Sequence, residues 1–399
     1  MKVVYYAPFG LPTGYARAAA DYAVALARAG VQVQIRPLYD DYQSEFLPPA
    51  LERELLALTA EFSGEPDVIL VHETPAASTS VELLRKVDDG PRGRRKCLLT
   101  TWETDRGPAS VTEMGRLYDA IAVPSDCAAE AFHEALLDVA ILPHTFDPEF
   151  WRPLPFDNAT DEYLFYFIGT WDNRKNPLGV LTAYLAEFYG RNDQVALHIQ
   201  TNDTFDAAAL DRHIQHAMGL RNYLLPRFTI DARPIASAGL DLLHMTGNCF
   251  VTAARGEAWC LPAFEAACKG RPVIAPSFGG MNDYLGDLSG WYPQVDVQMT
   301  PVVASVLPKL VAGQPAMVRV GPEGADATQC WGEPDLYELR SLMRFAYDER
   351  VGKSGEPPHT SHDAALNFDT LRLRYGYATV GKQLAAWLAN EEVDGNPAP

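Results

Sequence analysis

Seven residues separate Glu257 from Glu265 in the stretch RGEAWCLPAFEAACKG, which runs from Arg255 to Gly270. Gly256 and Pro262 keep a single helix from running through it. The surrounding residues read strand, loop, helix, strand. NCFVTAA ends a strand near Ala253, Glu257 falls in the loop at its carboxyl end, and PVIAP is the next strand. Pro262 suits the first turn of the intervening helix, where its missing N–H is one of the orphan donors anyway. Glu265 then lies about one turn further in. The N–H groups and dipole of that first turn favour an anion. A diphosphate held there would have Glu265 beside it for ribose hydroxyls and Glu257 near whatever group the diphosphate carries. Arg174 and Lys175 stand at a second expected helix start, in FIGTWDNRKNPLGV. Cations are unfavourable at a helix N-terminus unless an anion intervenes, so phosphate binding is preferred to a solvated helix start.

The elements that must position these groups alternate along the whole chain. KVVYYAP is a strand, FGLPTGYARA a glycine loop, AAADYAVALARAG a helix stopped by Gly30, and VQVQIRPL a second strand. PDVILVHE, KCLLTTWE, AIAVPS and VAILPH read as further strands, with a short helix over SVELLRKV. Proline-rich TFDPEFWRPLPFDNATDEY interrupts the pattern, and the alternation restarts at YLFYFIGT. The expectation is α/β: two facing Rossmann-like domains with a central cleft, where ligands bind at the carboxyl ends of the strands. The domains are placed at 1–150 and 163–370, with a linker at 151–162. A C-terminal helix and tail at 371–399 are expected to pack back on the first domain, by analogy with other proteins of two such domains. DLYELRSLMRFAYDERVG and NFDTLRLRYGYATVGKQLAAWLAN are expected to be helical.

The chain has 399 residues, 47% of them hydrophobic, which suffices for two cores, and a formal net charge of −19. That charge disfavours nucleic acid and anionic membranes at long range. No apolar run is long enough to span a bilayer, and MKVVYYAPFG reads as a buried strand rather than a signal peptide. Six cysteines without a CxxC pair read as reduced thiols, so a cytoplasmic location is expected.

GEAWCLPAFEAACKGRPVIAP resembles the E-x7-E signature of GT-B glycosyltransferases, in particular the large retaining family with glycogen synthase-like folds, GT4. FIGTWDNRKNPLGVLTAY is similar to that family's phosphate-binding strand, loop and helix. IAVPSDCAAEAF and ILPHTFDPEFWRP resemble the end of its first domain, and WGEPDLYELRSLMRFAYDE its C-terminal helix. The five segments fall in the family's order across nearly the whole chain. The resemblance implies transfer of a sugar from a nucleotide-diphospho-sugar to a hydroxyl acceptor. It implies retention by front-face attack, with no metal and no cofactor. Glu265 would bind the donor ribose, Glu257 the transferred sugar, and Lys175 the diphosphate. The family usually has an arginine just after Gly169, where this chain has Thr170, and Arg174 is the expected replacement. Arg233 would lie near the nucleobase. Cys260 and Leu261 are on the donor side, with Cys260 standing where the family often has glycine. Gly14 would allow close backbone approach, as would the loop at Gly279 and Gly280. In the first domain the family's histidine after the fourth strand is missing from LLTTWETDRGP; Tyr15, His72, Trp102 and Glu103 are the acceptor-side candidates.

Other readings stay open. The acceptor is a saccharide, a small molecule or a hydroxylated base in DNA, as in phage glucosyltransferases. The reaction is transfer or epimerisation, or the chain is a non-catalytic nucleotide-sugar binder. His213 and His216 in HIQH lack a third ligand and read as surface residues. PRGRRK, ending at Lys96, reads as a basic turn before a strand, and His359 and His362 receive no role.

Overall fold

The computed structural model describes residues 1–39, 46–75, 94–107, 111, 115–133, 139–153, 162–201, 205–221, 224–286, 288, 294–302, 305–311, 314–320, 328–354 and 361–391. The helix expected over SVELLRKV, most of the expected linker, Arg92, His359 and the last eight residues lie outside them. The chain forms two compact units: Met1–Trp151 with Ala236–Ala238 and Asp369–Pro399, and Arg152–Ile235 with Gly239–Phe368.

The first unit holds β1 (Lys2–Ala7), α1 (Gly14–Arg28), β2 (Gln32–Pro37), α2 (Pro49–Ala57), β3 (Val68–His72), β4 (Arg95–Leu99), β5 (Ala120–Val123), α3 (Asp126–His133) and β6 (Ala140–Ile141). Its sheet runs β2-β1-β3-β4-β5-β6, all parallel. Alternation in β1 puts Val3, Tyr5 and Ala7 on a fully buried face. Thr13 caps α1, its hydroxyl oxygen accepting from the Ala16 N–H at 3.2 Å. The alanines of α1 other than Ala27 are buried.

The second unit holds β7 (Tyr163–Ile168), α4 (Pro177–Phe188), β8 (Val195–Gln200), α5 (Ala207–Arg212), β9 (Arg227–Asp231), α6 (Ser237–Thr246, whose first residues belong to the first unit), β10 (Cys249–Val251), α7 (Leu261–Cys268) and β11 (Val273–Ile274). One turn of π-helix, His213–Ala217, continues α5. The sheet runs β11-β10-β7-β8-β9, again all parallel. Phe165, Phe167, Leu197, Ile199 and Val251 form its core with Val180, Tyr184 and Phe188 of α4. After α8 (Asn282–Leu285) come two antiparallel pairs: β12 (Val297–Pro301) with β15 (Cys330–Pro334), and β13 (Ser305–Val311) with β14 (Gln314–Val320). The alternating pattern did not anticipate these four strands. Then follow α9 (Leu336–Arg350), α10 (Ser361–Tyr375) and α11 (Tyr377–Ala389). Glu187 of α4 accepts from Arg340 and Arg344 of α9 at 2.7 and 2.6 Å, tying those two helices together.

The helical segment NFDTLRLRYGYATVGKQLAAWLAN is divided between two helices, with the break at Gly376. There the backbone is extended and pairs with Phe146: the Phe146 N–H donates to Tyr375 O, and the Tyr377 N–H to Phe146 O. A Cβ at Gly376 would lie 2.5 Å from Arg372 O, so only glycine fits. α11 packs along α1, where the Tyr377 hydroxyl donates to the buried Asp21 carboxylate and Gly381 meets the Ala25 carbonyl.

Candidate active site

Two left-handed residues start the two helices that matter. Asn176 (φ 51°) precedes α4, and Cys260 (φ 62°) precedes α7. Pro177 and Pro262 occupy the first turns, as their missing N–H groups favour. Asn176 tolerates its conformation because its side chain bonds locally. Its Oδ1 accepts from the Gly179 N–H at 3.1 Å and its Nδ2 donates to Ala253 O at 3.0 Å. It thereby pins the N-terminus of α4 to the segment leaving β10. Cys260 has no such side-chain bond.

This pinning brings Arg174 and Lys175 to Glu257, across 82 positions of sequence. Glu257 is buried. Lys175 Nζ pairs with its Oε1, and Arg174 Nη1 lies 3.4 Å from its Oε2 while donating to Gly256 O at 2.8 Å. Two cations therefore share one carboxylate beside a helix N-terminus, with the Asp172 carboxylate three residues before Lys175. Lys175 carries three donors, and Glu257 takes one.

The loop around this cluster is held from several sides. The Arg255 N–H donates to Arg174 O at 2.7 Å, and its guanidinium forks onto Glu333 of β15 and onto Asn173. The Gly280 N–H donates to Glu257 O at 2.8 Å. Gly279 has φ 112°, and a Cβ there would lie 2.6 Å from Glu257 O. The close approach that glycine allows in this loop is thus to the backbone of Glu257. Thr170 donates to Asp172 Oδ2 at 2.6 Å, and Asp172 Oδ1 accepts from the Lys175 N–H at 2.7 Å, so Thr170 shapes the turn that presents Lys175. Gly169 leaves room for the Phe167 ring, 2.8 Å from where its Cβ would be.

The remaining donor-side candidates are less closely gathered. Glu265 lies in α7, and its Oε2 is 3.5 Å from Nε2 of the buried His244 on α6. Burial and the neighbouring Glu257 push the Cys260 thiol up to about 12, so it is neutral at physiological pH. Leu261 opens α7. Arg233 is 86% exposed and folds back on Asp231 through Nε at 2.9 Å, holding that carboxyl below its usual range.

In the first unit, His72 ends β3 with Nδ1 3.0 Å from the Tyr5 hydroxyl. Tyr15 pairs with Thr101 and lies 5.4 Å from the His72 ring. Tyr22 sits between His72 and His144, at 5.8 and 5.6 Å. Both histidines are buried, and burial lowers each to about 3, with the second histidine adding to the effect at His72. Trp102 is buried too, its N–H donating to Thr104 Oγ1 and Arg106 O at 2.7 and 2.8 Å, which gives it a part in closing that turn. Glu103 is half-buried, and Gly14 is exposed at the start of α1, the left-handed glycine of that loop being Gly10.

Sequence reasoning passed over Arg255, Asn176, Asp172 and His144. Asn before Pro at a strand–loop–helix junction was the one available signal, since that pair marks a helix start. Arg255 and Asp172 act through partners distant in sequence or across a turn, and no local pattern marks them.

No protein-family model matches the chain, and no curated protein matches it. Solved structures do. HepE from Anabaena, in complex with UDP and glucose, aligns over 98% of this chain and 100% of its own, at 12% identity and a TM-score of 0.63. A glycosyltransferase from Rickettsia africae aligns over 98% of each chain at 12% identity and a TM-score of 0.61. Sucrose-phosphate synthase from Thermosynechococcus elongatus aligns over 98% of each at 14% identity and a TM-score of 0.60. At such identities the likeness is one of fold: the chain has the two Rossmann-like domains of the GT-B architecture.

Proposed function

We propose that the chain is a glycosyltransferase that binds a nucleotide-diphospho-sugar on its second unit and transfers the sugar to a hydroxyl acceptor. One observation carries this reading: Lys175 and Arg174 converge on Glu257 at the amino end of α4. A structural neighbour that binds UDP and glucose adds support. The diphosphate takes donors of Lys175 and the positive charge of Arg174, with the first-turn N–H groups of the helix adding to them. Glu257, held from both sides, orients the transferred sugar, and Glu265 takes the ribose. Cys260, Leu261, Gly169, Thr170 and Arg233 complete the donor side; Gly14, Tyr15, His72, Trp102 and Glu103 remain the first-unit candidates.

In the transfer, the bond from the anomeric carbon to the diphosphate oxygen breaks, and the electron pair leaves with the diphosphate. The acceptor oxygen bonds to the same carbon from the same face, and its proton passes to the departing diphosphate, so configuration is retained. Negative charge on the leaving group grows as that bond breaks, and fixed cations and dipoles stabilise it most in the transition state. Two cations and a helix terminus supply the charge that a divalent ion otherwise brings, so the proposed reaction needs no metal or cofactor.

The test is product analysis with purified chain, a panel of nucleotide-sugars and a simple alcohol acceptor. A glycoside of unchanged anomeric configuration, formed equally with and without EDTA, is expected. An inverted product would overturn retention, and loss of turnover with EDTA would overturn metal independence. An epimerised donor, or UDP binding without turnover of any donor, would replace transfer altogether.

A further inference from the structure

The chain from β15 through α9 grips α4 near both of its ends. Asp335 follows β15 and caps α9, its Oδ1 accepting from the Tyr337 and Glu338 N–H groups at 2.7 and 3.2 Å. From α9, Arg340 and Arg344 reach Glu187 near the carboxyl end of α4. From β15, Glu333 takes the Arg255 guanidinium, and the same guanidinium reaches Asn173 in the turn before α4. That turn carries Lys175, so Arg255 closes a ring that runs through β15, α9, α4 and back.

Each nitrogen of the Arg255 guanidinium is engaged. Nε and Nη2 fork onto the two Glu333 oxygens, Nη2 at 2.8 Å, while Nη1 donates to Asn173 O and, at 2.9 Å, to Asn173 Oδ1. Its backbone joins the same elements: the N–H donates to Arg174 O at 2.7 Å, and the carbonyl accepts from the Gly332 N–H at 2.9 Å. The guanidinium also lies 6.0 Å from the ring of buried Trp331. Asn173 and Arg174 immediately precede Lys175, and Arg255 itself stands two positions before Glu257. One side chain thus fixes the spacing of the two loops that bring Lys175 to Glu257. A planar fork satisfies the carboxylate edge and the Asn173 carbonyl together, which a lysine ammonium cannot do.

We propose that Arg255 is the positioning residue of the diphosphate site, with Glu333 as its anchor. The inference rests on the reading of Lys175 as a diphosphate ligand. Arg255 leaves the diphosphate to its neighbours, since its own nitrogens are held by Asn173 and Glu333. It sets where Lys175 Nζ stands, and a displacement of about 1 Å in such a group can cost about 10²-fold in rate. The antiparallel pair β12 and β15 thereby acquires a part in the site, because it supplies the anchor.

The experiment is calorimetric titration of the intact chain with inorganic diphosphate and with UDP, alongside thermal melting. Saturable binding is expected, weakened at least about tenfold by Lys175→Ala. Arg255→Lys, Arg255→Met and Glu333→Gln should each weaken it about five- to tenfold at temperatures where the variants remain folded. In a Lys175→Ala background, Arg255→Lys should cost less than about twofold, because the group it positions is gone; a general loss of folding would cost the same factor in both backgrounds. Wild-type affinity in Arg255→Lys overturns the assignment, since charge without the fork then suffices. Equal losses in the two backgrounds overturn it as well. If Arg255→Met unfolds, Glu333→Gln decides, as it keeps the shape and removes the charge; unchanged affinity there overturns the anchor. Failure of the wild-type chain to bind either probe overturns the diphosphate reading itself and this inference with it, whereas binding that Lys175→Ala weakens and the Arg255 variants do not overturns the inference alone.

Discussion

In the second unit Glu257 is buried against Lys175 and Arg174, two cationic side chains on one carboxylate. In the first unit His72 and His144 are buried among Tyr5, Tyr15 and Tyr22 and have given up their charge. Both clusters stand at the carboxyl ends of parallel strands, where ligands of such sheets bind. The difference lies in what burial has done to them. A lysine and an arginine gathered at a helix start can act on a developing negative charge. Burial makes the two imidazoles neutral, and they contribute shape and hydrogen bonding. One region is suited to electrostatic chemistry, the other to recognition.

The sharpest test of that contrast is Lys175→Ala, which is expected to lower turnover by about 10²–10³-fold, the usual loss when one transition-state donor is removed. The same steady-state assay on His72→Phe should show a far smaller fall in kcat. Equal losses in the two variants, with melting temperatures unchanged, would erase the contrast.

Gly279→Ala comes next. It forces an alanine into φ 112° and drives its Cβ toward Glu257 O, so a destabilisation of about 1–3 kcal/mol is expected by chemical denaturation. Activity should fall further than stability accounts for, since the displaced backbone carries Glu257.

The third prediction turns on pH. The folded histidines titrate near 3, well below the 6.5 of an unfolded chain. Their neutral burial therefore favours the folded state fully above pH 6.5. As pH falls from 6.5 toward 3 the unfolded chain binds protons that the folded one refuses. Stability should drop by up to about 1.4 kcal/mol per pH unit for each histidine. Urea titrations between pH 7 and 4 measure this, and His144→Phe should flatten the slope.

The smallest expected effect concerns Cys260. A left-handed residue other than glycine is strained, so Cys260→Gly should be more stable than Cys260→Ala by about 1 kcal/mol, the reverse of the ordinary order near a helix. If alanine proves the better substitute by thermal melting, the strain assigned to this helix start is absent.

What the sequence made legible was local. Strand–loop–helix repeats, Pro177 and Pro262 in first turns, and the two parallel sheets all follow from periodicity and punctuation within a few residues. The pairing of Lys175 with Glu257 does not, because it spans 82 positions and is fixed by Asn176 bridging to Ala253. The same limit hid the break at Gly376, which exists because the chain there pairs with Phe146. It hid the contact of Glu265 with His244 and the fork of Arg255 on Glu333. The four strands β12–β15 went unread for a different reason. They are antiparallel and contain prolines, so they break the rule that guided the rest.

The packing of α11 along α1 has a consequence for biosynthesis. The alanine-lined flank of α1, built from residues 16–25, is covered by a segment that leaves the ribosome only after residue 376. The first unit cannot finish folding when its own amino-terminal stretch has been synthesised; it waits, with an apolar stripe uncovered, until the residues beyond 376 have been made. A nascent chain arrested before that point should be the form most dependent on chaperones.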